Sequence, residues 1–279
     1  MPTWEVRDPA DPRLAPFAAL TRSGPRDTVV VEGEIAVERA LASSHLVTAV
    51  LLTAAHRQRL DALLDPAIPV FVATAAMVRE VVGFDFHRGC LAVMPRPVAS
   101  WTDAVRDHDG LRRVLVAEGL ADPANLGAVI RNARALGVDM VLHGRGADPW
   151  SRRAIRAAMG LGFSMPVIRC DDLAQAVQGV RARMGEAARV LAAVVQPGAV
   201  TLTHYQPPAR AIVLVGNEGA GLSEALRAQA DDAVTIPLAD GVDSLNVAAA
   251  TAVVLYALAA ADGDGGRRSE PRSASGAVK

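Results

Sequence analysis

Two short, continuous apolar runs, 190–195 and 211–215, most constrain what this chain can fold into. A strand with one wet face alternates apolar and polar residues, whereas a strand apolar throughout is covered on both faces. Such strands belong to parallel sheets, whose neighbours are joined by crossovers, usually helices. The surrounding sequence supplies them. Strands are expected over 113–117, 140–143 and 166–168, and helices over 125–136, 151–161 and 171–184. A smaller unit repeats the scheme upstream, with strands over 28–31, 47–52 and 70–73 and helices over 34–42, 54–64 and 75–82. Pro95-Arg96-Pro97 interrupts the alternation. The chain therefore divides into an N-terminal extension (1–26), a small α/β unit (27–97), a linker (98–111), a second α/β unit with a mostly parallel sheet (112–261) and a disordered tail (262–279).

Hydrophobic residues make up 51% of the 279 and charged residues 21%, enough for one large core or two modest ones. A net charge of −1 gives no global basic field, so a nucleic-acid partner needs a local basic patch. Cys90 and Cys170 have no disulfide or metal-ligand spacing. They read as small core residues of a reduced, cytoplasmic protein without a metal. The N-terminus lacks a signal-peptide apolar core, and no apolar run matches a membrane span. Trp101 and Trp150 read as packing residues.

Three polar loops follow strands in the second unit. The first, Glu118 to Asn132, runs into a helix that Asn125 can cap, with Arg131 two turns in. Arg131 is either a guanidinium fork for phosphate or an exposed residue paired with an acid. The second, Gly216-Asn217-Glu218-Gly219-Ala220-Gly221, lacks the lysine of a phosphate-binding loop, and Glu218 would repel phosphate. Its glycines permit a tight turn or close approach to a ligand. The third runs from Thr235 to Val247 into a helix apolar on nearly every face, expected over 247–261 and buried. Ser244 is a good N-cap, which predicts a helix start there and leaves Asn246 in the first turn without a propensity reason. Ligands bind beyond the carboxyl ends of parallel strands, so all three loops are expected at one end of the sheet.

Taken in order, Asn125-Leu126-Gly127 with Arg131, Gly216-Asn217-Glu218-Gly219 with Gly221-Leu222, and Ile236-Pro237 with Ser244-Leu245-Asn246-Val247 resemble the three motifs of the SpoU (TrmH) branch of the SPOUT RNA methyltransferases. Arg156 to Gly160 and Met165 to Val167 resemble the segment between them, and Phe86 to Ala92 the close of the small domain that precedes the catalytic one in many members. The resemblance covers roughly 112–261. It implies an α/β-knot, a deep trefoil in which the C-terminal chain is threaded through an earlier loop, against the general rule. It also implies a homodimer, S-adenosylmethionine as cofactor and the ribose 2′-hydroxyl of a structured RNA as acceptor. An accessory domain favours ribosomal RNA, because shape recognition of folded RNA needs extra surface. A transfer RNA 2′-O-methyltransferase and a non-catalytic RNA-binding protein on the same fold are the rival readings.

On that resemblance, Gly216, Asn217, Gly221, Ile236, Leu238 and Leu245 hold the cofactor. Arg131 stabilises the developing alkoxide or clamps the adjacent phosphate, since a guanidinium is essentially never neutral. Asn125, Glu218, Ser244 and Asn246 orient Arg131 and the target nucleotide. Asn132 stands where many relatives have threonine. In the small unit Arg22, Arg26, His45, His56, Arg57 and Arg59 are candidate RNA contacts.

Overall fold

The structure, a computed structural model, describes residues 2–18, 27–83 and 89–261. Arg22, Arg26, residues 86–88 and the tail 262–279 lie outside the described residues. The first unit contains strands β1 (Thr3–Glu5), β2 (Thr28–Glu32), β3 (Ala49–Leu52), β4 (Val70–Val72) and β5 (Cys90–Pro95), with helices α1 (Ala15–Ala18), α2 (Glu34–Leu41), α3 (Ala54–Leu60) and α4 (Ala75–Val82). Its sheet has the order β1-β4-β3-β5-β2, with β5 antiparallel to both neighbours. The N-terminal segment is thus no mere extension. β1 completes an edge beside β4, and Leu14 and Phe17 are buried with Phe71, Val78 and Leu91.

The second unit has α5 (Trp101–Asp107), β6 (Arg113–Ala117), α6 (Pro123–Ala135), β7 (Met140–His143), α7 (Arg152–Ala157), β8 (Val167–Arg169), α8 (Leu173–Met184), β9 (Ala188–Ala193), β10 (Val200–Thr201), β11 (Arg210–Val215), α9 (Glu224–Arg227), β12 (Asp232–Thr235) and α10 (Val247–Ala260). Its strands, in the order β10-β12-β9-β11-β6-β7-β8, are all parallel. Successive side chains point to opposite faces. Val114, Val116, Ile212 and Leu214 accordingly meet α8, while Leu115, Ala117, Val213 and Val215 belong to the core that takes in α6 and α10. Both faces are covered, which is why these strands carry no alternation. The chain adds β7 and β8 on one side of β6, then returns to add β9, β11 and β12 on the other. The loops after β6 and β11 therefore flank the switch point, where open parallel sheets leave a crevice.

Several boundaries differ from the sequence expectation. The expected linker contains α5, which lies on α8 with the Trp101 ring against Gly179. Helix α6 starts earlier than expected: Asp122, not Asn125, is its N-cap, accepting from Ala124 N at 2.9 Å, with Pro123 in its first turn. Helix α7 stops at Ala157 rather than near 161. Met159 and Gly160 both take positive φ, 52° and 74°. A Cβ on Gly160 would lie 2.9 Å from Ala36 Cα, so this turn is shaped by contact with the first unit.

The two units share a core, since Val31, Ala36 and Val37 join the cluster holding Leu115 and Leu126. Glu32, 2% exposed, meets the guanidinium groups of Arg152 and Arg156. Arg39 donates to the Met159 carbonyl, and Arg96 to Asp148 Oδ1 at 2.7 Å. His45 stands edge-on to Trp150 and Phe163, which stack at 5.4 Å. Trp150 is packing, as expected. His45 is corrected from RNA contact to interface residue, and burial holds its pKa below the ordinary value. Cys90 and Cys170 are buried, with thiols pushed up to about 12 by desolvation, and are inert core residues.

Helix α6 crosses α7 at Gly127, where an added Cβ would overlap the Ala154 carbonyl oxygen and sit 2.8 Å from Ala157 Cβ. Gly127→Ala is expected to cost about 1–3 kcal/mol through forced separation of the helices. A lowered urea midpoint at unchanged slope checks this; an unchanged midpoint contradicts the close approach.

Candidate active site

At the carboxyl ends of β9, β11 and β12 two of the three polar loops surround a cleft of about 370 Å³, and the loop after β6 adjoins it through Asn125 without lining it. One side is the 216–222 turn after β11; the other is the 236–245 segment between β12 and α10. Each residue expected to hold a cofactor lines it: Gly216, Asn217, Gly221, Ile236, Leu238 and Leu245. Glu218 and Ser244 line it too. The turn is a tight backbone crossing. A Cβ on Gly216 would overlap the Gly221 carbonyl and lie 2.6 Å from Leu222 N.

Asn217 shapes this turn from within. Its Oδ1 accepts from Gly219 N at 2.8 Å and Ala220 N at 3.0 Å, and its Nδ2 donates to Gly119 O at 2.9 Å. Those bonds occupy its side chain, so it borders the cleft as a brace. Glu118, which sequence reasoning passed over, adds a second brace by accepting from Ser223 N at 2.7 Å.

The third loop departs from expectation. Helix α10 starts at Val247, and its N-cap is Asn246, not Ser244. Asn246 Oδ1 accepts from Ala248 N at 3.0 Å and Ala249 N at 3.3 Å. Ser244 is two residues too early, in the exposed loop at the cleft. The puzzle of an asparagine inside the helix disappears, because asparagine ranks among the best caps. Asn246 Nδ2 then donates to Asn125 Oδ1 at 3.0 Å, and Asn125 Nδ2 donates to Glu218 Oε1. One residue from each loop thus forms a continuous chain, of which Glu218 lines the cleft and Asn125 and Asn246 do not.

Arg131 stands apart. It is exposed and lies outside the cleft lining, and its side chain makes no hydrogen bond or ion pair to a described residue. Helical geometry gives the reason: six residues at roughly 100° each turn it about 120° away from the Asn125 stripe. Asn132, seven residues on, returns to that stripe and donates to Ala248 O at 2.8 Å. So Asn132, and not Arg131, ties α6 to the start of α10.

Sequence reasoning also missed the end of β9, from Ala193 to Gln196, and Arg227 and Asp243, all lining the cleft. The first could have been read from the rule that parallel strands end at the site. The other two carry no local signal. In the first unit, Arg57 pairs with Asp61, and Arg59 with Glu34. His56 is hydrogen-bonded to Thr53 Oγ1 at 2.7 Å, packs on Gly89 and has its pKa lowered by burial. Among the described residues no group of three or more His, Cys, Asp or Glu could hold a metal ion, and no helix is long and apolar enough to cross a membrane.

The cap and the network can be separated. Asn246→Ala is expected to lose about 1 kcal/mol of stability with the cap, whereas Asn246→Asp keeps an equally good cap. Chemical denaturation reads the difference; equal losses in both variants would show that the bond to Asn125, not the cap, carries the stability.

Comparison with known proteins comes to the same place. The SpoU rRNA Methylase family matches residues 112–256. A Mycobacterium tuberculosis protein named an uncharacterized tRNA/rRNA methyltransferase is 36% identical over 268 residues, 90% of each chain. The 23S rRNA (guanosine(2553)-2'-O)-methyltransferase of Bacillus subtilis is 33% identical over 233 residues, 83% of this chain and 88% of that one. The rRNA methyltransferase of Sinorhizobium meliloti, solved with AdoMet bound, shares the fold with a TM-score of 0.77 at 23% identity, covering 92% of this chain and 97% of that one.

Proposed function

Since this chain belongs to the SpoU rRNA methylase family, we propose that it transfers a methyl group from S-adenosylmethionine to a ribose 2′-hydroxyl of ribosomal RNA. The observation that carries the reading is the Asn246–Asn125–Glu218 chain, which joins the three motif loops beside one cleft. The Bacillus subtilis relative aligns over most of both units, and its name specifies 23S rRNA and the 2′-oxygen. A transfer RNA acceptor is the second reading, favoured by the broader name of the Mycobacterium tuberculosis relative.

The residues present fit the donor. A cleft of about 370 Å³ falls in the usual range for small-molecule sites, about 300–1,000 Å³. Ile236, Leu238 and Leu245 offer apolar walls for an adenine, and the Gly216 turn offers backbone groups at close range. Bound there, S-adenosylmethionine would supply a methyl group on a sulfonium. The chain's own part is positioning and electrostatics. Asn125, Glu218, Ser244 and Asn246 orient the ribose. Arg131, permanently charged, faces the RNA side, where it clamps a phosphate next to the target or steadies the alkoxide as the proton leaves.

The same reading includes the knot, the homodimer and the roles of the units. Helix α10, which follows the 236–246 segment, is the stretch we take to be drawn through the trefoil. Ala249, Val253, Tyr256 and Ala260 form one exposed stripe along α10, so this helix is not buried all round as its sequence suggested. That stripe suits a second copy of the chain. The first unit, held against the second by Glu32 and its two arginines, adds RNA-facing surface. A ribosomal RNA substrate fits the cytoplasmic location expected from the sequence.

Radiolabelled methyl transfer to separated ribosomal and transfer RNA tests the proposal. Label on the 2′-oxygen of ribosomal RNA is expected; label confined to transfer RNA selects the second reading, and no label in either pool overturns both. Arg131→Ala is expected to slow transfer by about a hundredfold or more while donor affinity, read by calorimetry, stays within about threefold. Donor binding lost in that variant would sink the role given to Arg131.

A further inference from the structure

The cleft lining is apolar or uncharged except for Glu218, Asp243 and Arg227. Arg227 ends the short helix α9, one turn beyond the Gly216 turn, and is its single cation. It is exposed and its side chain makes no hydrogen bond or ion pair to a described residue, so nothing among the described residues uses its charge. The acids differ from it. Glu218 is engaged by Asn125, and Asp243 sits in the opposite 236–245 wall.

A donor with an adenosine at one end and an amino acid at the other must be bound amphiphilically. Its base seeks the apolar walls, and its charged tail needs counter-charges near solvent. A carboxylate is best met by a guanidinium, which can offer two parallel donors. We propose that Arg227 binds the carboxylate of the donor's amino-acid tail, fixing the tail at the α9 end of the cleft. The inference rests on the donor reading above and extends it by giving the bound molecule a direction. The adenine end lies against Ile236 and Leu245, and the tail runs past Gly221 toward α9. It also explains why a cation is placed at this lip although a positively charged sulfonium must sit nearby: without a bound carboxylate, Arg227 would oppose binding of a cationic donor.

Calorimetry with two adenosyl ligands tests this on the full chain. S-adenosylhomocysteine carries the amino-acid tail; methylthioadenosine keeps the adenosine and the thioether but has no carboxylate. Arg227→Gln is expected to weaken S-adenosylhomocysteine about tenfold, as for one lost charge-assisted contact, and to leave methylthioadenosine unchanged. Arg227→Lys should recover part of the loss. The unchanged ligand doubles as a control for folding. Equal weakening of both ligands would show that Arg227 shapes the cleft rather than meeting the tail, and no weakening of either would show that it faces away; each result overturns the proposal. Failure of the unsubstituted protein to bind either ligand would instead overturn the donor reading, and this inference with it.

Discussion

The second unit is organised around one side chain with two jobs. Asn246 has a carbonyl oxygen and an amide nitrogen, and the structure uses both. The oxygen satisfies backbone N–H groups at the start of α10, which would otherwise lack partners. The nitrogen reaches Asn125, which in turn holds Glu218. No other common cap does this. Serine, threonine and aspartate supply an acceptor for the helix but cannot also donate an amide N–H across to α6. The entry of the last helix and the geometry of the cleft are therefore one structural fact, and neither can shift without the other.

Much of the fold was legible in the sequence for physical reasons. Continuous apolar strands announce a sheet buried on both faces, and the second sheet is wholly parallel. The convergence of the three loops followed from strand ends and needed no atomic detail. What the sequence hid were contacts between distant residues. α7 ends early because Gly160 meets Ala36, more than a hundred positions upstream. α5 looked like a linker because its seven residues are mostly polar, and its role depends on Trp101 lying against α8. Ser244 drew the cap assignment by residue type, but the chain places Asn246 where α10 begins. The burial expected for α10 failed on one stripe only, because an all-apolar composition cannot report which face lacks a partner within the chain.

The junction between the units is polar in a way that resists sliding. A buried carboxylate left alone is costly, but Glu32 faces two guanidinium groups from α7. Trp150 and Phe163 from the second unit and His45 from the first close the other side with their rings. Removing either side of this contact would leave the buried Glu32 carboxylate short of a counter-charge, so the pairing favours the one relative placement seen. If the first unit guides the target ribose, as proposed, it can do so only because its distance from the cleft is set.

The position of Arg131 carries the last step. Arg131 lies outside the cleft lining, as Asn125 and Asn246 do, but unlike them it stands on a flank of α6 turned about 120° from the Asn125 stripe and its side chain joins neither of the other loops. Its exposure leaves the guanidinium hydrated and mobile until something anionic fixes it. The phosphates flanking a target ribose are such anions, and they arrive only with the substrate. An arginine held by an acid within the chain would have to break that bond at each turnover; Arg131 makes no ion pair to a described residue. On the proposed reading donor and acceptor are served by separate groups, with Asn125 on α6 between them. The cleft and its braces are formed within the chain, and on the proposed reading the electrostatic contribution of Arg131 comes into register only when RNA is present.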